Sequence, residues 1–153
     1  MTMAAQAEKP LVVRPRRARM VATVSAVVLV VVFVVVALLL KNTSTGVYFR
    51  TSDQVAMVGV GLLLAAGAMI FARPMVRADA EGIEVRNVFT VTRYPWTLVR
   101  QVSFPDGTPW ARLDLPDDEY VAVMAVQAVD RERAVVAVRA LRELHRRANA
   151  VAE

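Results

Sequence analysis

The chain reads as two transmembrane α-helices followed by a small α+β domain, a bent antiparallel sheet of about six to seven strands closed by a C-terminal amphipathic helix. Three observations predict this. Two uncharged apolar stretches occupy the first half, the pattern changes to period two at Arg73, and an apolar stripe at helical spacing follows Asp130. The 153 residues are 56% hydrophobic, above the roughly 45–50% of an ordinary soluble domain. The excess divides the chain into a basic cytoplasmic N-terminal arm (1–19), a first span (20–40), an extracytoplasmic loop (41–54), a second span (55–72) and a cytoplasmic domain (73–150).

The first span, MVATVSAVVLVVVFVVVALLL, carries no ionisable residue, and its length matches the roughly 20 apolar residues that a helix needs to cross hydrocarbon. Ten of its residues are valine. In water that composition would favour a strand, but in lipid an isolated segment satisfies its backbone amides only as a helix. The competing reading, a cleaved signal peptide after RPRRAR, fits poorly, because the run exceeds a signal core of roughly 7 to 15 residues and a second span follows. That second span, VAMVGVGLLLAAGAMIFA, is richer in small residues. Gly61 and Ala65 stand four apart and would let another helix approach closely, although glycine and alanine are common in membrane helices generally.

Charge placement orients the pair. Lys9, Arg14, Arg16, Arg17 and Arg19 precede the first span, only Lys41 and Arg50 lie between the spans, and Arg73 and Arg77 follow the second. The positive-inside rule then puts both ends in the cytoplasm, as a multi-pass protein of the inner (plasma) membrane. Tyr48 and Phe49 in the outer loop suit the lipid–water boundary. The formal net charge of +5 belongs entirely to the first 72 residues, since residues 73–153 hold twelve basic and twelve acidic side chains. The basic arm therefore suits anionic lipid headgroups, and the neutral domain is the wrong balance for gripping nucleic acid. Without cysteine there is no disulfide scaffold, thiolate nucleophile or cysteine-ligated metal.

In the domain, RPMVRADAEGIEVRN reads as two strands around Ala80-Glu81-Gly82, with Gly82 supplying a positive φ. VFTVTRYPW and LVRQVSF are the next two strands, the second with no clean core face. PDGTP (105–109) is a turn. WARLDLP and EYVAVMAVQ form a hairpin around Asp117-Asp118-Glu119. Residues 130–150 form a helix capped by Asp130, with Ala134, Ala137, Val138, Leu141, Leu144 and Ala148 on one stripe and Val135 and Val136 off it.

YPWTLVRQVSF resembles the strand-and-turn motif of bacterial PH-like domains, and WARLDLPDDEYVAVMAVQAVDRERAVVAVRALRELHRRA is similar to the tail of the family described as low-molecular-weight protein antigen six, a PH-domain family of high-GC Gram-positive bacteria. The resemblance covers about residues 74–148. It implies a PH-like barrel, and the six strands read here are one short of its seven. Eukaryotic PH domains that bind inositol phosphates use basic residues in the first hairpin loop. Here the corresponding turn, ADAEG (78–82), carries Asp79 and Glu81, which argues against that use.

The sequence offers no catalytic machinery. His145 stands alone among Arg142, Arg146 and Arg147, the acidic run 117–119 lacks metal-site spacing, and there is no phosphate loop or nucleophile elbow. No catalytic, cofactor or metal site is expected. Trp96 and Trp110 read either as core packing or, with Arg93, Arg100, Arg112, Val135 and Val136, as an interaction surface, because tryptophan and arginine dominate interface hot spots. The expectation is a membrane-anchored interaction or scaffold module, possible as an accessory subunit of a membrane complex, with an unidentified membrane or cytosolic protein as partner. The alternative is a lipid or small-ligand sensor using the barrel.

Overall fold

The computed structural model describes residues 9–42 and 50–150. The chain divides into two compact units, one made of residues 18–73 and the other of residues 1–17 with 74–153. In chain order the elements are β1 (Leu11–Val13), α1 (Arg16–Asn42), α2 (Thr51–Ile70), β2 (Met75–Ala78), β3 (Gly82–Arg86), β4 (Val91–Pro95), β5 (Gln101–Ser103), β6 (Trp110–Asp114), β7 (Tyr120–Gln127) and α3 (Glu132–Ala150).

The helical unit is a pair, α1 and α2, each long and apolar enough to cross a membrane. Most of their large side chains, among them Val27, Val31, Leu38, Leu62 and Leu63, are exposed. The helices touch through small residues. Gly61 and Ala65 are the buried positions of α2, and a Cβ added to Gly61 would stand 2.6 Å from the Cβ of Phe33 on α1. The second helix starts earlier than the apolar run suggests. Thr51 to Gln54 belong to it, because Asp53 accepts a hydrogen bond from the Arg50 amide (3.0 Å) and places a carboxylate at the positive end of the helix. Tyr48 and Phe49 lie outside the described residues.

The domain is a seven-stranded antiparallel fold with α3 packed against it, but not a single bent sheet. It is open and split into a four-stranded sheet, β1-β2-β3-β4, and a three-stranded sheet, β5-β6-β7. The seventh strand is β1, from the arm, which pairs with β2 in the register Leu11↔Ala78 to Val13↔Val76. The split follows from the segment between β4 and β5. Pro95 ends β4, and Leu98 and Val99 donate to the carbonyls of Pro95 and Trp96 in a tight turn, so that LVRQVSF contributes only three strand residues where seven were expected.

Period-two alternation sets the core. Val76 and Ala78, Ile83 and Val85, Ala111 and Leu113, and Val123 and Ala125 point inward, with Ala134, Ala137, Val138 and Leu141 of α3 on top of them. Ser103 is buried beside Val102, which explains the unclean register of β5. Two turn expectations need correction. Gly82 does not adopt a positive φ; it is small because a Cβ there would lie 2.5 Å from the Tyr94 carbonyl oxygen. Among the described glycines, the one in the left-handed region is Gly107 (φ +80°), in the PDGTP turn. The helix α3 begins at Glu132, not at Asp130, and its first turn is anchored by amides of Ala134 and Val135 donating to the Arg131 carbonyl.

Candidate interaction surfaces

The register of the first sheet sorts its loops into two ends. Val13 pairs with Val76, Met75 with Arg86, and Arg86 with Val91. The chain therefore enters β2 from α2, leaves β1 toward α1, and turns from β3 to β4 all at one end. The ADAEG turn lies at the other, where Ala78 pairs with Ile83 and Gly82 with Pro95.

At the ADAEG end the acidic groups are engaged. Asp79 Oδ1 accepts from the amides of Glu81 and Gly82, both at 3.0 Å, an Asx turn that rigidifies the loop. Arg93 Nη2 donates to both Asp79 carboxylate oxygens at 2.9 Å and to Glu81 at 3.4 Å. Burial alone would raise the Asp79 pKa. The amides of Gly82 and Glu81 and the Arg93 guanidinium together outweigh it and hold the carboxyl below its usual 3.8. Arg93, expected as a surface group, is thus committed to closing this turn.

For Trp96 the core-packing reading holds and the interaction-surface reading does not. The residue is 1% exposed, one of the largest side chains in the core, so it offers no surface to a partner. Its indole N–H donates to the Asp79 carbonyl (2.8 Å), and its ring meets His145 edge-on at 5.6 Å between centroids. His145 is not unpartnered: its Nε2 lies 2.6 Å from the Val99 carbonyl oxygen, on the turn between β4 and β5. These contacts tie α3 to the turn that separates the sheets.

The outer face of the second sheet carries Trp110, Arg112 and Tyr120, brought together by the pairs Arg112↔Ala122 and Asp114↔Tyr120. Trp110 is half-buried and Tyr120 exposed. Arg112 Nε donates to Ser103 Oγ (3.1 Å) and pairs with Asp114 (3.0 Å), while its guanidinium lies 5.2 Å from the centre of the Tyr120 ring. Arg100 is exposed, and its amide donates to the Asp114 carbonyl (2.8 Å).

Val135 and Val136 line an open cleft of about 890 Å³ with Phe104, Arg131, Arg139 and Arg142. Both valines are exposed because they fall off the stripe that α3 turns toward the sheets. Arg142 is held by a 2.8 Å bond from Nε to the Val102 carbonyl. An apolar floor whose rim holds three guanidinium groups and the Glu132 carboxylate keeps a positive balance and can receive an amphipathic segment bearing carboxylates. Of the expected residues, Val135 and Val136 meet in this cleft, Trp110 and Arg112 meet on the second sheet, and Arg93 lies on the first.

One position escaped the sequence reading, and another was assigned to the wrong helix. Phe89, at the tip of the β3–β4 turn, is 87% exposed; the tetrapeptide NVFT, headed by the turn-forming Asn87, is the available signal. Asp130 does not cap α3. Its two carboxylate oxygens accept from the amides of Arg16 and Arg17, each at 3.2 Å, and so cap the start of α1.

The profile of the bacterial PH domain family matches residues 73–144. Uncharacterized proteins of Mycobacterium tuberculosis and Mycobacterium bovis are each 46% identical to the chain over 134 residues, which is 88% of this chain and 87% of theirs. No solved structure matches. Seven antiparallel strands in two sheets with one C-terminal helix, together with this match, identify the chain as a member of the bacterial PH domain family.

Proposed function

We propose that the protein is a non-enzymatic, membrane-anchored interaction module: α1 and α2 span the inner membrane with both termini in the cytoplasm, and the PH-like domain docks a protein partner there. The observation that carries this reading is the cleft on α3, where exposed Val135 and Val136 adjoin Arg131, Arg139 and Arg142. A neutral domain gains nothing in solubility from two adjacent exposed valines, whereas an interface with an apolar centre and an arginine rim has this composition. The half-buried Trp110 and the preorganised Arg112 would supply a second contact on the outer face of the other sheet. The basic arm would add contacts to anionic headgroups.

A photo-crosslinking residue at Val136, in cells expressing the chain at native level, tests the reading. The expected result is a discrete crosslinked protein that disappears when Val135 is changed to Asp in the same chain. Recovery of only the uncrosslinked polypeptide would refute it. The sensor alternative has less support, because the arginine nearest the first hairpin turn is already paired with Asp79 and Glu81.

A further inference from the structure

The loop ends of the first sheet point to a second membrane contact, one that rests on the reading of α1 and α2 as spans. We infer that the β3–β4 turn, with Phe89 at its tip, inserts into the lipid–water interface on the domain's side of the bilayer and draws anionic headgroups to its arginines.

The register supports this. Only residues 71–74 separate the last residue of α2 from Met75, and only Arg14 and Pro15 separate β1 from α1. Met75 pairs with Arg86, and the β3–β4 hairpin continues past that pair, closed by the Asn87 amide donating to the Thr90 carbonyl at 2.8 Å. At about 3.3 Å per strand residue, the tip extends roughly 7 Å beyond Met75, back toward the segment from which α2 delivers the chain. Phe89 and Val91 are both exposed there, and membrane proteins concentrate exposed aromatic rings at the lipid–water boundary.

Charge agrees. Within the domain, the segments 10–17, 74–78 and 86–91 adjoin at this end of the sheet and contain arginines but no Asp or Glu. Of the carboxylates on neighbouring elements, Glu84 stands opposite Arg77 on the adjoining strand, and Asp130 is occupied by the Arg16 and Arg17 amides. The acidic ADAEG turn, by contrast, is at the far end of the same strands, away from the β3–β4 turn.

The chain has no cysteine, so single cysteines report without background. Spin labels at Phe89→Cys, Glu81→Cys and Leu63→Cys, each in the full chain in nanodiscs of phosphatidylcholine and phosphatidylglycerol, are compared for accessibility to oxygen and to a water-soluble nickel chelate. The expected oxygen-to-chelate ratio at position 89 is several-fold above that at position 81 and rises with the phosphatidylglycerol fraction. A ratio at 89 equal to that at 81, with 63 in lipid, overturns the inference alone. Position 63 reading as water overturns the spanning reading and the inference with it. A label at 89 shielded from both agents means a protein cover and also overturns it.

Discussion

Asn87 joins Ala122 across the gap between the two sheets: its Nδ2 donates to the Ala122 carbonyl at 2.8 Å, and its Oδ1 accepts from the next outward amide of β7, that of Met124, at 3.2 Å. One side-chain amide thus serves as a peptide unit on the edge of β7, at the place where a closed barrel would have a strand partner. Asn87→Leu preserves volume and leaves a part-buried carbonyl and amide without that partner. The expected loss is about 2 kcal/mol, seen as a drop of several degrees in the melting temperature of the full chain in detergent. Unchanged melting would mean that water replaces the side chain at no cost.

Asp79 gives the domain a pH dependence of known sign. Its pKa is lowered in the fold, so its contribution is present above the unfolded value and is lost as pH falls through the lower folded value. Asp79→Asn keeps an acceptor for the Glu81 and Gly82 amides but removes the charge that Arg93 meets. Urea midpoints of the wild type and of this variant should therefore converge as the pH falls below about 4, the variant being the less stable at neutral pH. Glu143, lowered by Arg147 and Arg146, adds a contribution of the same sign to both proteins and cancels in the comparison.

Much of this architecture was legible from spacing. The two long apolar helices follow from length, β2, β3 and β6 from alternation, and the PDGTP turn from Gly107. What escaped depends on partners remote in sequence. β1 is three residues of LVV within a basic arm, too short to alternate detectably, and it becomes a strand only because β2 offers an edge. Trp96 follows a proline in an exposed-looking strand end, yet the turn after Pro95 folds it inward over Asp79. The same turn separates the two sheets, and nothing in the alternation of LVRQVSF announces it. For the surfaces, helical spacing isolated Val135 and Val136 correctly as off-stripe residues, whereas the exposure of Phe89 required the hairpin register.

The helix pair makes a steric prediction with an internal control. Gly61 lies against Phe33, while nothing approaches within 4 Å of a Cβ at Gly59. Gly61→Leu must push α1 and α2 apart, at a cost of about 1–3 kcal/mol. Gly59→Leu should be tolerated in lipid. Far-UV circular dichroism during SDS titration of the chain in mixed micelles should show an earlier midpoint for the first variant only; equal midpoints would mean that Gly61 does not set the packing distance.

Asp130 separates a rule of sequence from the contact that the fold makes. Read locally, an Asp before a helical stripe caps that helix, and its loss should fray α3. In the fold its carboxylate instead receives the Arg16 and Arg17 amides, while the Arg131 carbonyl anchors α3. Asp130→Ala should then cost about 1 kcal/mol at the first turn of α1, speeding hydrogen exchange at Arg16 and Arg17 by about fivefold. Exchange at Ala134 and Val135 should stay as it is. Asp130→Asn, which keeps an acceptor oxygen, should recover most of the protection. Faster exchange confined to Ala134 and Val135 would return the residue to its local role, and would remove the bond by which the domain fixes the start of α1.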